Sequence, residues 1–365
     1  MKKILIYLGH PAHFHLYKNT ITSLKHDNYS VEVLIKKKDV LESLLNNSNI
    51  AYHNILAEGR KDSKIGILWG TIKRAWRLFI FCIKYKPDIL TGTSVENSWV
   101  GAILRIPVIN ANEDDANVVP LYAKLSYPLA STILSPIVCN NGQWEKKSIK
   151  YQSYHELAYL HPNNFIADKS KVEKYINSDK PFFIIRFAKL AAHHDSGIKG
   201  ISTEIAQKII DILKPYGNIY ITSERPLEPQ FEQFRIHINP IDMHHVMAYA
   251  SLYIGDSQTM AAEAGVLGIP FVRFNDFVGR IGYLNELENK FNLGYGIKTN
   301  DPNQLYDTVK HLVEMPDRKE VFEKRRKQML TEKIDYAKFL TWFIENYPKS
   351  KEIMKQNPDY QYQFK

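Results

Sequence analysis

Between residues 251 and 274 the chain reads SLYIGDSQTMAAEAGVLGIPFVRF, and its polar side chains are spaced to hold an anionic, hydroxyl-bearing ligand. Ser257, Gln258 and Thr259 open a helical pattern in which Met260, Ala261, Ala264 and Leu267 recur at helical spacing. Unpaired N–H groups and the positive dipole end at such a helix start attract phosphate. Glu263 follows Ser257 by six residues, under two turns into the helix, where a carboxylate accepts hydrogen bonds from a vicinal diol such as a ribose. The plainer reading makes Ser257 a helix cap and Glu263 a solvated helix residue.

Other chemistry falls just after predicted strands. GHPAHFHLYKN brings His10, His13 and His15 into one turn. No Cys, Asp or Glu set follows at ligand spacing, so the expectation is one histidine facing a site, or merely bonding its turn, rather than a metal. NANEDDAN clusters Glu113, Asp114 and Asp115. If buried, such a cluster raises one carboxyl pKa and supplies a general base; if solvated, it is an acidic turn. Arg186 ends one strand and Ser223, Glu224 and Arg225 follow the next, so two guanidinium groups are expected to converge on phosphates at the Ser257 turn. His193 and His194, in AAHHDSG, are expected to approach from the same side.

Alternating strand and helix patterns must position these residues. Predicted strands at 4–8, 31–35, 51–55, 88–92, 107–110 and 132–135 are followed by a second set at 182–186, 218–222, 235–238, 251–255 and 271–274. That alternation implies α/β architecture: two doubly wound parallel-sheet domains facing a cleft. The expected boundaries are an N-terminal domain at 1–160, a linker at 161–180, and a C-terminal domain at 181–330. A helix at 331–347, with Phe339, Trp342 and Phe343, returns to the first domain, and a tail at 348–365 is loosely held.

The 365 residues, 44% hydrophobic and 24% charged, suffice for two cores. Two cysteines, Cys82 and Cys139, form no disulfide framework and point to a reducing cytosol. MKKILIYLGH is too short in its apolar part for a signal sequence and reads as the first strand. The net charge of +9 is scattered, with no aromatic and basic nucleic-acid signature, so anionic nucleotides or an anionic membrane surface explain it better than nucleic acid. A helical pattern at 65–85 mixes Trp69, Trp76 and Phe79 with Lys73, Arg74 and Arg77. It reads as a core helix with one solvated side or as peripheral contact with the inner membrane face.

The residues 251–274 resemble the donor-nucleotide motif of GT-B enzymes, in particular non-hydrolysing UDP-N-acetylglucosamine 2-epimerases and the N-acetylglucosaminyltransferase of peptidoglycan synthesis. In the epimerases a DSGG turn precedes a ribose-binding Glu at the spacing of Ser257 and Glu263. Here Gln258 and Thr259 replace the two glycines. The same resemblance aligns His13 with a GT-B cleft histidine, although the GGTGG glycines are missing, and puts Pro240 and Ile241 where the base edge is bound through backbone atoms. Over nearly its whole length the chain also resembles the family called domain of unknown function 354, through GHPAHFH, NEDDAN, HELAYLHPNNF, the Ser223 to Arg225 turn and IDMHHVMAYASLYIGDSQTMAAEAGVLGIP.

The resemblance implies a metal-independent, GT-B glycosyltransferase-like enzyme of surface polysaccharide or glycoconjugate synthesis. It implies a nucleotide-sugar donor, most simply a UDP-sugar, no separate cofactor, and a glycan or lipid-linked acceptor. His13, Glu113 or Asp114 would be the base. Epimerisation at C2 of the sugar ranks second, because TGTSVEN offers no match for the epimerase aspartate after the fourth strand. A nucleotide-sugar-binding protein without turnover is the third reading.

Overall fold

The computed structural model describes residues 1–38, 40–56, 64–188 and 200–365. They fall into two compact units, Met1–Tyr159 with Lys333–Lys365, and Leu160–Glu332. The 161–180 stretch, read as a linker, therefore belongs to the second unit, where Asp168 caps the helix Lys169–Glu173.

The first unit holds seven strands: β1 (Lys3–Leu8), β2 (Ser30–Lys36), β3 (His53–Leu56), β4 (Ile89–Gly92), β5 (Val108–Ala111), β6 (Thr132–Pro136) and β7 (Ser148–Tyr151). They pair in parallel in the order β3-β2-β1-β4-β5-β6-β7. The second unit holds β8 (Phe182–Phe187), β9 (Asn218–Ser223), β10 (Leu252–Gly255), β11 (Phe271–Phe274) and β12 (Gly294–Ile297), parallel in the order β12-β11-β10-β8-β9. Central strands such as ILIYL in β1 and LYIG in β10 are buried along their whole length, because helices cover both sheet faces and leave no polar alternation.

Both sheets are doubly wound, and each has one place where the strand order reverses: between β1 and β4, and between β8 and β10. Loops leaving the carboxyl ends of strands part there and open a crevice, the usual ligand position in open α/β sheets. A glycine ends one flanking strand in each case. A Cβ on Gly92, at φ 130°, would lie 2.3 Å from the Tyr7 carbonyl oxygen, and one on Gly255 would lie 2.9 Å from that of Arg186. Only glycine lets these strand ends run so close to their neighbours.

Three expectations change. Residues 235–238 are not a strand: only Arg235 bridges to Ile221, and the chain turns away because Pro240 lacks an N–H and Asn239 bonds its own turn. β7 and β12 were not foreseen, being four residues each with mixed burial. The tail is docked rather than loose. Lys349–Gln356 is helical, Pro358–Phe364 is a 3-10 helix, and Ser350, Met354 and Gln361 are buried. Phe364 packs on Trp342 at 5.2 Å and its carbonyl accepts from Asp335 N–H at 2.8 Å. The helix Tyr336–Glu345 packs against Pro11–His26 within the first unit, and Lys2 caps its carboxyl end by donating to the Glu345 and Tyr347 carbonyls.

Candidate functional site

At the reversal in the second sheet, the helix Gln258–Leu267 starts directly after β10. Ser257 caps it, accepting from Met260 N–H, and Gln258 and Thr259 lie half-buried on its first turn. Asp256, one residue earlier, is buried and accepts from the N–H groups of Ala188 at 2.6 Å and Ile201 at 3.4 Å. Burial pushes its carboxyl up to about 6, against the pull of those N–H groups and of Arg225. The sequence reading passed over Asp256; its signal was an acid wedged between a buried strand end and a helix cap.

Arg225 and Arg186 do not converge freely. Arg186 pairs with Glu224. The Arg225 guanidinium lies 4.8 Å from the Phe187 ring centroid and donates to the Ile201 carbonyl at 2.6 Å, while Ser223 Oγ accepts from Arg225 N–H. Both arginines nevertheless stand at this strand edge, since Arg186 is in register with Gly255. The Nε of each has no hydrogen-bond partner among the described residues.

Glu263 is neither solvated nor isolated. It is buried, with Oε1 2.9 Å from His244 Nε2, itself buried on the helix Met243–Met247. Pro240 and Ile241 enter that helix, and Ile241 N–H donates to Asn239 Oδ1 at 3.2 Å. His244 is the second residue that sequence reasoning missed, because a contact across nineteen residues leaves no local periodicity. His193 and His194 lie outside the described residues.

At the reversal in the first sheet the three histidines diverge. His10 is exposed and caps Pro11–His26 by accepting from Ala12 N–H. His15 packs between Phe14 and Tyr159, with centroids 5.0 and 5.1 Å away. His13 is half-buried and its Nδ1 accepts from Gly9 N–H at 3.2 Å, which leaves the proton of the neutral ring on Nε2. Desolvation, with smaller contributions from His10, His155 and Lys36, holds its pKa well below the usual histidine value. His13 is thus a hydrogen-bond donor at neutral pH.

The three acids after β5 also separate. Glu113 Oε2 accepts from His155 N–H at 3.0 Å and its Oε1 lies 3.4 Å from His155 Nδ1. Asp115 is buried and accepts from Asn140 N–H at 2.7 Å. Asp114 is half-buried beside His155. His155, unforeseen as a site residue though it belongs to the HELAYLHPNNF segment, stacks on Tyr336 at 5.6 Å and on Tyr151 at 6.4 Å. Burial lowers its pKa to about 3, so the ring is neutral. Among the described residues no three His, Cys, Asp or Glu side chains gather as a metal centre would need.

A family model described as Protein of unknown function (DUF354) matches residues 2–337. The chain belongs to that family. No curated protein matches it in sequence. Solved structures do resemble this DUF354 member. A UDP-GlcNAc 2-epimerase from Neisseria meningitidis, bound to UDP-GlcNAc, is 17% identical with TM-score 0.65, over 94% of this chain and 99% of the other. S. aureus MnaA in complex with UDP is 14% identical with TM-score 0.65, over 96% of each chain. The spinosyn rhamnosyltransferase SpnG, complexed with spinosyn aglycone, is 14% identical with TM-score 0.62, over 95% of this chain and 100% of the other. At these identities the likeness establishes the fold: the DUF354 chain has the two-domain Rossmann-like GT-B architecture.

Proposed function

We propose that the chain is a nucleotide-sugar-dependent enzyme, a GT-B glycosyltransferase using a UDP-sugar in surface polysaccharide or glycoconjugate synthesis. The observation that carries this reading is the Ser257-capped helix opening at the strand reversal between β8 and β10, with Arg186 and Arg225 at the same edge. The helix N-terminus and the two guanidinium groups accept the diphosphate, with Gln258 and Thr259 contributing side chains where a bare backbone would come closer. His244 orients Glu263 toward the ribose diol, and the backbone at Pro240 and Ile241 takes the base edge.

The acceptor hydroxyl attacks the anomeric carbon as the bond to the diphosphate oxygen breaks. Its proton passes to Asp114, the half-buried carboxylate beside His155. His13 donates a hydrogen bond to a substrate oxygen through Nε2. Charge on the leaving diphosphate is stabilised by the helix and the arginines, which makes a metal unnecessary in this reading.

Epimerisation at C2 stays as the second reading, favoured by near full-length overlap with the Neisseria meningitidis enzyme. Incubation with UDP-sugars in deuterated water, followed by NMR, separates the two. With an acceptor glycan present, transfer gives UDP and a glycosylated acceptor whose sugar keeps hydrogen at C2, and epimerisation gives deuterium at C2 with the nucleotide sugar intact. UDP binding with neither product would leave a nucleotide-sugar-binding protein.

A further inference from the structure

The helix Lys64–Tyr85 exposes a stripe that folding into the first unit does not bury. Trp69 and Trp76 are 67% and 63% exposed, and Ile72 and Ile83 share their side of the helix at spacings of three, four and seven residues. The helices Val95–Leu104 and Pro120–Ser126 pack alongside in turn. They extend the apolar surface with Ile103, 69% exposed, and Leu121, 57% exposed. Two open tryptophans with neighbouring open aliphatic side chains exceed the scattered apolar exposure of an ordinary surface.

The charge on this layer has one sign. Across the three helices the sequence carries a single acid, Glu96, and it is buried against Arg74 with Nε and Oε1 2.5 Å apart. Lys73, Lys84 and Lys124 are exposed on the same helices, and Arg105 is exposed where Val95–Leu104 ends. The Arg74–Glu96 pair thus removes the layer's one negative charge from the surface. No helix among the described residues is long and apolar enough to cross a membrane. Indole rings beside lysines and arginine suit the interface of an anionic bilayer, where the rings enter the headgroup level and the bases meet lipid phosphates.

We propose that this three-helix face docks on an anionic lipid surface. The inference is independent of the nucleotide reading, because it rests on exposure and charge in the first unit alone. The test is co-sedimentation of the full chain with phosphatidylglycerol/phosphatidylcholine vesicles and with pure phosphatidylcholine vesicles, at low salt and at 0.5 M salt. Binding to the anionic vesicles is expected to be at least tenfold tighter than to the neutral ones and to weaken in salt. Trp69→Ser with Trp76→Ser, and separately Lys73→Glu with Lys124→Glu, are each expected to cut it at least tenfold while leaving the melting temperature unchanged. No binding to anionic vesicles, or binding indifferent to both pairs of substitutions, overturns the proposal. Self-association that the tryptophan substitutions abolish would instead assign the face to a second copy of the chain.

Discussion

The two strand reversals occupy the same topological position and carry different chemistry. In the second unit the groups are fixed: a capped helix start, arginines held by Glu224 and Phe187, and Glu263 held by His244. In the first unit the corresponding edge collects histidines and carboxylates, with His13 and His155 kept neutral by burial and Asp114 half-buried between strand and loop. Permanent charges and dipoles suit recognition of a fixed anion, and neutral imidazoles beside a half-buried carboxylate suit hydrogen bonding to a hydroxyl. Under the proposed function, one fold used twice separates holding from reacting.

Asp256 is the exception, a titrating group inside the static site, and it offers the largest effect. Its folded pKa is about 6 against 3.8 unfolded, so its contribution to stability is present below pH 4 and is lost as pH rises through 6. The change amounts to about 3 kcal/mol. Asp256→Asn should remove that slope, read as the difference between variant and wild-type unfolding curves at pH 4 and pH 7. A parallel pH dependence in both proteins would show that Asp256 is not buried as an acid.

Glu263→Ala should lower stability by about 2 to 3 kcal/mol, because it removes the buried oxygen 2.9 Å from His244 Nε2. Glu263→Gln, which keeps an acceptor, should recover most of it in urea unfolding. If Gln and Ala behave alike, the bond to His244 is not what the glutamate supplies. Arg225→Ala should weaken UDP binding by about 2 kcal/mol in titration calorimetry, the value of a hydrogen bond to a charged group. Ser257→Ala should cost about 1 kcal/mol of stability through the lost cap. In the first unit Asp114→Asn should reduce turnover at least a hundredfold with UDP affinity unchanged, and a fall in affinity alone would move Asp114 out of the proton-transfer role.

Much of the fold was legible because buried parallel strands leave dense apolar runs, as at Ile4 to Leu8 and Phe271 to Phe274. β12 was not, since the glycines in GYGI erase the apolar signal. The docked tail escaped for a related reason: Tyr360 and Phe364 pack on Trp342 from a 3-10 turn, which has no 3.6-residue period. At the site, Ser257 was readable because a cap acts within three residues. His155 and His244 owe their positions to partners 42 and 19 residues away, Glu113 and Glu263, and such pairings are settled only by tertiary packing.

The central claim is that the strand reversal between β8 and β10 holds a nucleoside diphosphate. Its most direct test is a thermal-shift series with UDP, GDP, ADP, CMP and TDP on the wild type and on Arg225→Ala. Ligand at about 100 times its dissociation constant adds about 2.7 kcal/mol to the folded state, a shift of a few degrees at this chain length. The account predicts a shift with UDP that shrinks in Arg225→Ala. No shift with any nucleotide, or equal shifts in both proteins, would contradict it.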